Sequence, residues 1–313
     1  MNDNSIVPKR IDNYVSTRLL EQLDFQNRNY SLQKMPLGRF SSSIFLLDID
    51  GCSPLILKAI RKRYRYKRIL QSQDILLNHN IPVPKIVFAE EDRGLLLWKK
   101  MHVICEEKVE GSTLLHVDLT PEIIKDIARL FFRLHRIKST LWGKLNEGGR
   151  SDSLFFYLNE NIQKNLRKLC KYDQNFPFAR VNSIVDYCKR FQREVEEINT
   201  FSLCHKDPTR ANIILDKNKS LYLIDICEMG YFPPFIDYYM AQIYLLEGNE
   251  ARMRLFEEAY MQGLTLEEKQ EMKIAQPLFK LFVLTQLATR ISKVAHMNTA
   301  LSVVEKEIER ILT

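Results

Sequence analysis

Apolar positions recur along the chain in two rhythms, and the change between them divides it. Up to about residue 105 the apolar runs are short and end on turn residues, the pattern of strands. Ser31 to Asp50 predicts two strands around the loop 36–43, Pro54 to Ile60 a third, and Lys85 to Ala89 and Gly94 to Cys105 two more. Two helices are expected among them. Asp12 to Leu23 places Val15, Leu19, Leu20 and Leu23 on one face. A second helix follows Ile60, runs to about Asn78, and is stopped by Ile81-Pro82-Val83-Pro84.

Beyond Glu106 the spacing is mostly helical. Thr120 is a favourable N-cap, Pro121 suits the first turn and Glu122 complements the helix dipole. Ile123, Ile124, Ile127, Leu130, Phe131 and Leu134 then form one apolar face ending at His135. Further helices are expected at 153–172, 180–198, 236–247, 251–262, 266–296 and 300–312. A strand-rich first third and a helix-rich remainder describe an α+β chain of two lobes. The expected division is 1–105, a small antiparallel sheet with a helix, and 106–313, a larger helical lobe.

One stretch breaks the helical rhythm. His205, Asp207 and Asn212 precede the apolar run Ile213–Leu215, the polar turn Asp216-Lys217-Asn218-Lys219, and a second run, Leu221–Ile224, that ends on Asp225. Apolar runs around a turn of this composition predict a hairpin. Folding it brings Asn212, just before the first strand, close to Asp225, just after the second. With Asp207 on the entering loop, an acid, an amide and a second acid converge on a rigid support. Phosphoryl transfer needs such a set: a carboxylate for a hydroxyl, and oxygen ligands for magnesium.

His205-x-Asp207-x-x-x-x-Asn212, with Asp225 after a short hairpin, resembles the aminoglycoside phosphotransferase and choline kinase family of protein-kinase-like phosphotransferases. Pro233-Pro234-Phe235-Ile236-Asp237, the Ile-Pro-Val-Pro stop and Leu134-His135 followed by Trp142-Gly143 also resemble that family. The resemblance implies a bilobal fold, ATP and Mg2+ as cofactors, and a small molecule bearing a hydroxyl as acceptor. It implies Asp207 as the catalytic base and Asn212 and Asp225 as the magnesium holders. Lys58 would grip the nucleotide phosphates, Ser41 and Ser42 would sit in the phosphate-covering loop, and Glu107 would lie in the hinge that meets adenine. His205 is expected to brace its loop. Lys206 and Arg210 are either loop charges or contacts to phosphate or to an anionic acceptor, and Glu228 is a further possible contact. The alternatives are a kinase of a protein or lipid-linked sugar, or a pseudokinase-like binding module.

One departure stands out. The family's helix usually carries a glutamate that pairs with the strand lysine, yet no acid occurs between Gly51 and Gln73. The stretch instead carries Arg61, Lys62, Arg63, Arg65, Lys67 and Arg68 with Tyr64 and Tyr66, either the solvated start of a helix or an anion-binding surface. Either Gln71, Gln73 or Asp74 substitutes, or Lys58 is held otherwise; the expectation taken forward is that Lys58 lacks a fixed carboxylate and is ordered by nucleotide.

Composition changes this picture little. The 313 residues, 45% hydrophobic, suffice for a large core, and the net charge of +7 permits an anionic ligand without demanding a nucleic acid. Six scattered cysteines without C-x-x-C pairs fit a reducing cytoplasm, and the polar N-terminus shows no apolar leader. The apolar stretch 277–288 contains Lys280 and is too short and polar to span a membrane.

Overall fold

The structure is a computed structural model and describes residues 8–35, 42–91, 101–147, 153–172, 178–291 and 298–312. The chain forms two compact units, Met1–Asp118 with Arg210–Met229, and Leu119–Thr209 with Gly230–Thr313.

The first unit is built on an antiparallel sheet of β1 (Tyr30–Lys34), β2 (Ser42–Ile49), β3 (Leu55–Ile60), β4 (Ile86–Glu90) and β5 (His102–Glu107), in the order β1-β2-β3-β5-β4. One face is apolar: Phe45, Leu47, Leu57 and Val103 pack against Ile11, Val15, Leu19 and Leu20 of the N-terminal helical segment. That segment starts at Lys9 and widens into a π turn over Val15–Leu19. The helix Arg63–Asn78 follows β3. The predicted strand 94–105 is observed over His102–Glu107, and residues 92–100 lie outside the described residues.

The predicted hairpin is present, with Ile213↔Leu223 and Leu215↔Leu221 in register. Its first strand also pairs with β6 (Gly111–Thr113), so a three-stranded sheet belongs to the first unit. Gly111 permits the approach, since a Cβ there would collide with the carbonyl oxygen of Leu215. The division therefore differs from a single cut at 105/106. β6 and the hairpin share one ladder, and that ladder keeps Arg210–Met229 with the first unit.

The second unit is mostly helical around a core that includes Phe131, Phe155, Phe256, Tyr260, Phe279 and Phe282. The helix Pro121–His135 begins as predicted, with Thr120 Oγ1 accepting from the Ile123 N–H at 3.4 Å. The single helix expected over 266–296 is instead two, Leu266–Ile274 and Gln276–Ile291. Pro277 has no N–H to continue the ladder and its ring would clash one turn back. The helix expected over 180–198 is likewise two, Phe178–Lys189 and Gln192–Glu196. Four short strands escaped the sequence pattern: Lys138–Ser139, Phe201–Cys204, Gly230–Phe232 and Gly143–Lys144, in that order in one sheet. Two to four residues leave too little alternation to read. Among the described residues, no helix is long and apolar enough to cross a membrane.

Candidate active site

In the first unit the hairpin positions two oxygen donors. Asn212 closes the 3-10 turn Arg210–Asn212, and its carbonyl accepts the Ile224 N–H at 3.0 Å, tying the residue before the first strand to the residue before Asp225. Leu223 N–H donates to the Pro82 carbonyl at 3.0 Å, which anchors the hairpin to the segment that stops the Arg63–Asn78 helix. The turn is held by Asp216, whose Oδ1 accepts from the Asn218 and Ser220 amides at 2.9 and 2.7 Å. Asp225 adopts left-handed backbone angles, φ 55° and ψ 50°. Such a conformation costs a non-glycine residue about 1–2 kcal/mol and marks a position where geometry is enforced. An amide and a carboxylate at adjoining ends of one hairpin fit the hard, oxygen-preferring chemistry of magnesium, which retains waters and phosphate oxygens for the rest of its shell.

Lys58 has a carboxylate partner after all. Its Nζ lies 2.5 Å from Glu106 Oε1, and both side chains are largely buried. The register explains the contact: Ile56 pairs with Glu106 and Lys58 with Ile104, so the two charges are diagonal neighbours on one face. This corrects the expectation of a loosely held lysine, because the sheet, through Glu106, supplies its acid. Burial pushes the Lys58 ammonium down, but the charge and hydrogen bond of Glu106, with the charge of Asp225 behind them, outweigh it and leave the pKa raised. Lys58, Glu106 and Asp225 thus form one electrostatic group.

The remaining expected nucleotide contacts are placed less tellingly. Ser41 lies outside the described residues, and Ser42 opens β2 opposite Ile60. Glu107 ends β5, and its N–H donates to the Lys85 carbonyl at 2.8 Å. Arg210 is a brace: Nε and Nη2 donate to the carbonyls of Leu114 and Val117 at 2.9 and 2.6 Å. Glu228 faces Arg65 Nη2 at 3.1 Å.

In the second unit, the loop bearing Asp207 hangs on a buried anion. Asp237, in the first turn of the helix Phe235–Met240, accepts the His205 N–H at 2.5 Å and the Lys206 N–H at 2.8 Å. His135 Nε2 stands 3.5 Å from the same carboxylate, and its Nδ1 meets the Tyr260 hydroxyl at 2.6 Å. Burial pushes the Asp237 carboxyl up, but its contacts with His135 and the Lys206 amide more than offset this and hold it below the usual aspartate value. His205 braces the loop as expected, its Nδ1 accepting the Asp207 N–H at 3.3 Å. His135, Cys204 and Asp237 converge closely enough to resemble a metal set. Both carboxylate oxygens are already engaged, however, and burial, then the charge of Asp237, keeps the Cys204 thiol protonated. The cluster is structural.

Asp207 Oδ1 accepts from Arg290 Nη1 at 3.1 Å, and the guanidinium lies 5.0 Å over the Tyr244 ring. Lys206 turns away from solvent. Its backbone φ is +70°, and its buried Nζ sits 3.8 Å from the Phe232 ring centroid, with Phe282 and Tyr157 at 5.3 and 6.0 Å. Glu106 and the bracing role of Asp237 were missed from sequence; an acid closing an apolar strand was the available signal for the first.

Comparison with known proteins bears on the family and the fold. The model of the "Phosphotransferase enzyme family" matches residues 34–273. No curated protein sequence matches the chain. Among solved structures, a thermostable mutant of aminoglycoside phosphotransferase APH(4)-Ia is similar at 13% identity and TM-score 0.64, covering 95% of this chain and 98% of that one. A putative fructosamine-3-kinase from Thermobifida fusca is similar at 15% identity and TM-score 0.65, covering 95% and 99%. Plasmodium vivax ethanolamine kinase is similar at 15% identity and TM-score 0.55, covering 96% and 86%. A structure of the APH(4)-Ia protein is a ternary complex with AMP-PNP and hygromycin B.

Proposed function

Because the chain belongs to the phosphotransferase enzyme family, we propose that it moves the γ-phosphoryl group of ATP, with magnesium, to a hydroxyl of a small molecule. The observation that carries this reading is the hairpin itself, which sets Asn212 and Asp225 at adjoining ends while Lys58 shares a charged cluster with Asp225. Asp207 orients the acceptor hydroxyl and takes its proton late, since such transition states are loose and positioning dominates. Asn212 and Asp225 would hold magnesium, which supplies charge neutralisation on the phosphates. Lys58 would contact those phosphates, with Glu106 fixing its stem. Arg290 favours one acceptor class. Its side chain is about half exposed (51%) beside the proposed base, with donors of a kind that match carboxylate or phosphate, and it would repel a polycation. This supports an acceptor bearing an anionic group, such as a sugar phosphate, over an aminoglycoside.

Two measurements test the reading. Mg-ATP should raise the melting temperature clearly, and EDTA should remove most of that rise; an equal shift in EDTA sinks the metal assignment. With radiolabelled ATP, glucose 6-phosphate and glycerol 3-phosphate should be labelled faster than ethanolamine or hygromycin B. Asp207→Ala should abolish labelling while Mg-ATP affinity stays within a few-fold. A preference for the cationic acceptors would remove Arg290 from the account.

A further inference from the structure

The helix Arg63–Asn78 lacks the acid expected to face Lys58, and its buried polar residues point to a different task. Arg68 is 0% exposed, an unusual fate for an arginine. Its Nη1 donates to the Cys227 carbonyl at 3.0 Å and stands 3.8 Å from Glu228 Oε2. One turn along the helix, Ser72 Oγ donates to the Ile226 carbonyl at 3.1 Å. One turn earlier, Arg65 pairs with Glu228 at 3.1 Å. Three helix residues therefore hold three consecutive residues, Ile226 to Glu228, which form the single 3-10 turn that follows Asp225.

That turn is joined to the metal-site carboxylate. The Cys227 Sγ lies 3.2 Å from Asp225 Oδ1 as a thiol donor, so the residue whose carbonyl Arg68 grips also touches the proposed ligand oxygen. Asp225 is in a left-handed conformation, which a chain keeps only where its surroundings over-determine it. The helix supplies those surroundings from the C-terminal side, and the Asn212–Ile224 hydrogen bond supplies them from the N-terminal side. We infer that Arg68 is a positioning residue for the magnesium site: through Cys227 it fixes the direction of the Asp225 carboxylate, with Ser72 and Arg65 as auxiliaries. The proposal rests on the magnesium role of Asp225 given above. The labour commonly shared by one helix–lysine pair is here split, with Glu106 of the sheet holding Lys58 and the helix holding the metal loop.

The experiment is a magnesium titration of AMP-PNP binding by the full-length protein, with a parallel arm in EDTA. Arg68→Lys keeps the charge but loses the planar fork, and it should raise the magnesium concentration for half-saturation by about tenfold, the usual scale for a residue behind a ligand. Nucleotide binding in EDTA should be unchanged. Ser72→Ala should shift the same midpoint by about two- to threefold, within the span of one neutral hydrogen bond. If Arg68→Lys does not fold, Ser72→Ala and Arg65→Gln decide the matter. Folded variants with lower melting temperatures but parental magnesium midpoints would overturn the proposal, leaving Arg68 a packing residue. Magnesium-independent binding by the parent protein would instead overturn the metal assignment, a distinct failure.

Discussion

The loops that precede and follow the Ile213–Leu223 hairpin in the chain are anchored by opposite means. The Asp207 loop of the second unit offers two amide N–H groups to a buried carboxylate, Asp237. The Ile226–Glu228 turn of the first unit, which follows Asp225, offers two carbonyls to a buried guanidinium and a hydroxyl, Arg68 and Ser72. A backbone has both a donor and an acceptor at each residue, so a loop can be fixed through either. The choice sets what each loop is sensitive to. An aspartate can be neutralised by acid and an arginine cannot, within any range the protein survives. The difference teaches that the two halves should fail separately under the right perturbation.

The largest effect is expected at the Asp207 loop. Asp237→Asn removes the charge facing His135 and presents a donor to amides that need an acceptor. It should cost about 3–5 kcal/mol, the scale for breaking a buried charged set. Denaturant midpoints at neutral pH measure this. Because the folded Asp237 pKa is depressed, its contribution is present above the unfolded carboxylate value near 3.9 and is lost as pH falls through the lower folded value. The gap between parent and variant should therefore close in acid. A gap that holds constant to the acid limit would show that Asp237 works by shape alone.

Lys58 gives the mirror case in the first unit. Removing it as Lys58→Met leaves Glu106 buried, at a cost of roughly 1.5–3 kcal/mol in the nucleotide-free protein. Its folded pKa is raised, so the contribution is whole below the unfolded value of 10.5 and is lost as pH rises through the higher folded value. The gap between parent and Lys58→Met should close in alkali. An unchanged melting temperature in the variant would restore the loosely held lysine.

The smallest effect lies outside both loops. Thr120→Ala removes an N-cap and should cost about 1 kcal/mol. Labelling rate and magnesium midpoint, measured on this variant well below its melting temperature, should match the parent. If either moves as it does in the loop variants, those readouts follow global stability and the comparison loses its force.

Much of this was legible in the sequence where cause and effect are neighbours. The hairpin, the Thr120 cap, the helix after Pro234 and the bracing of Asp207 by His205 are all set within a few residues. What was not legible is paired across long stretches. Arg68 meets Cys227, and Asp237 meets His135, because strands and helices bring them together; no local rule distinguishes Arg68 from the exposed Arg63 on the same helix. Glu106 was passed over for a related reason: its partner is identifiable only once the register of β3 and β5 is known. The break before Pro277 is different, since the proline was visible and the apolar spacing was followed past it.

Lys206 illustrates what a residue count conceals. A left-handed backbone holds it where glycine would be at ease, and its ammonium rests against three aromatic rings. The consequence is chemical. An amine whose nitrogen is buried meets acylating reagents only when the loop opens, so Lys206 should label slowly with an amine-reactive ester while exposed lysines such as Lys217 label at once. The rate at which Lys206 does label becomes a clock for the opening of the Asp207 loop, read by mass spectrometry on a single peptide.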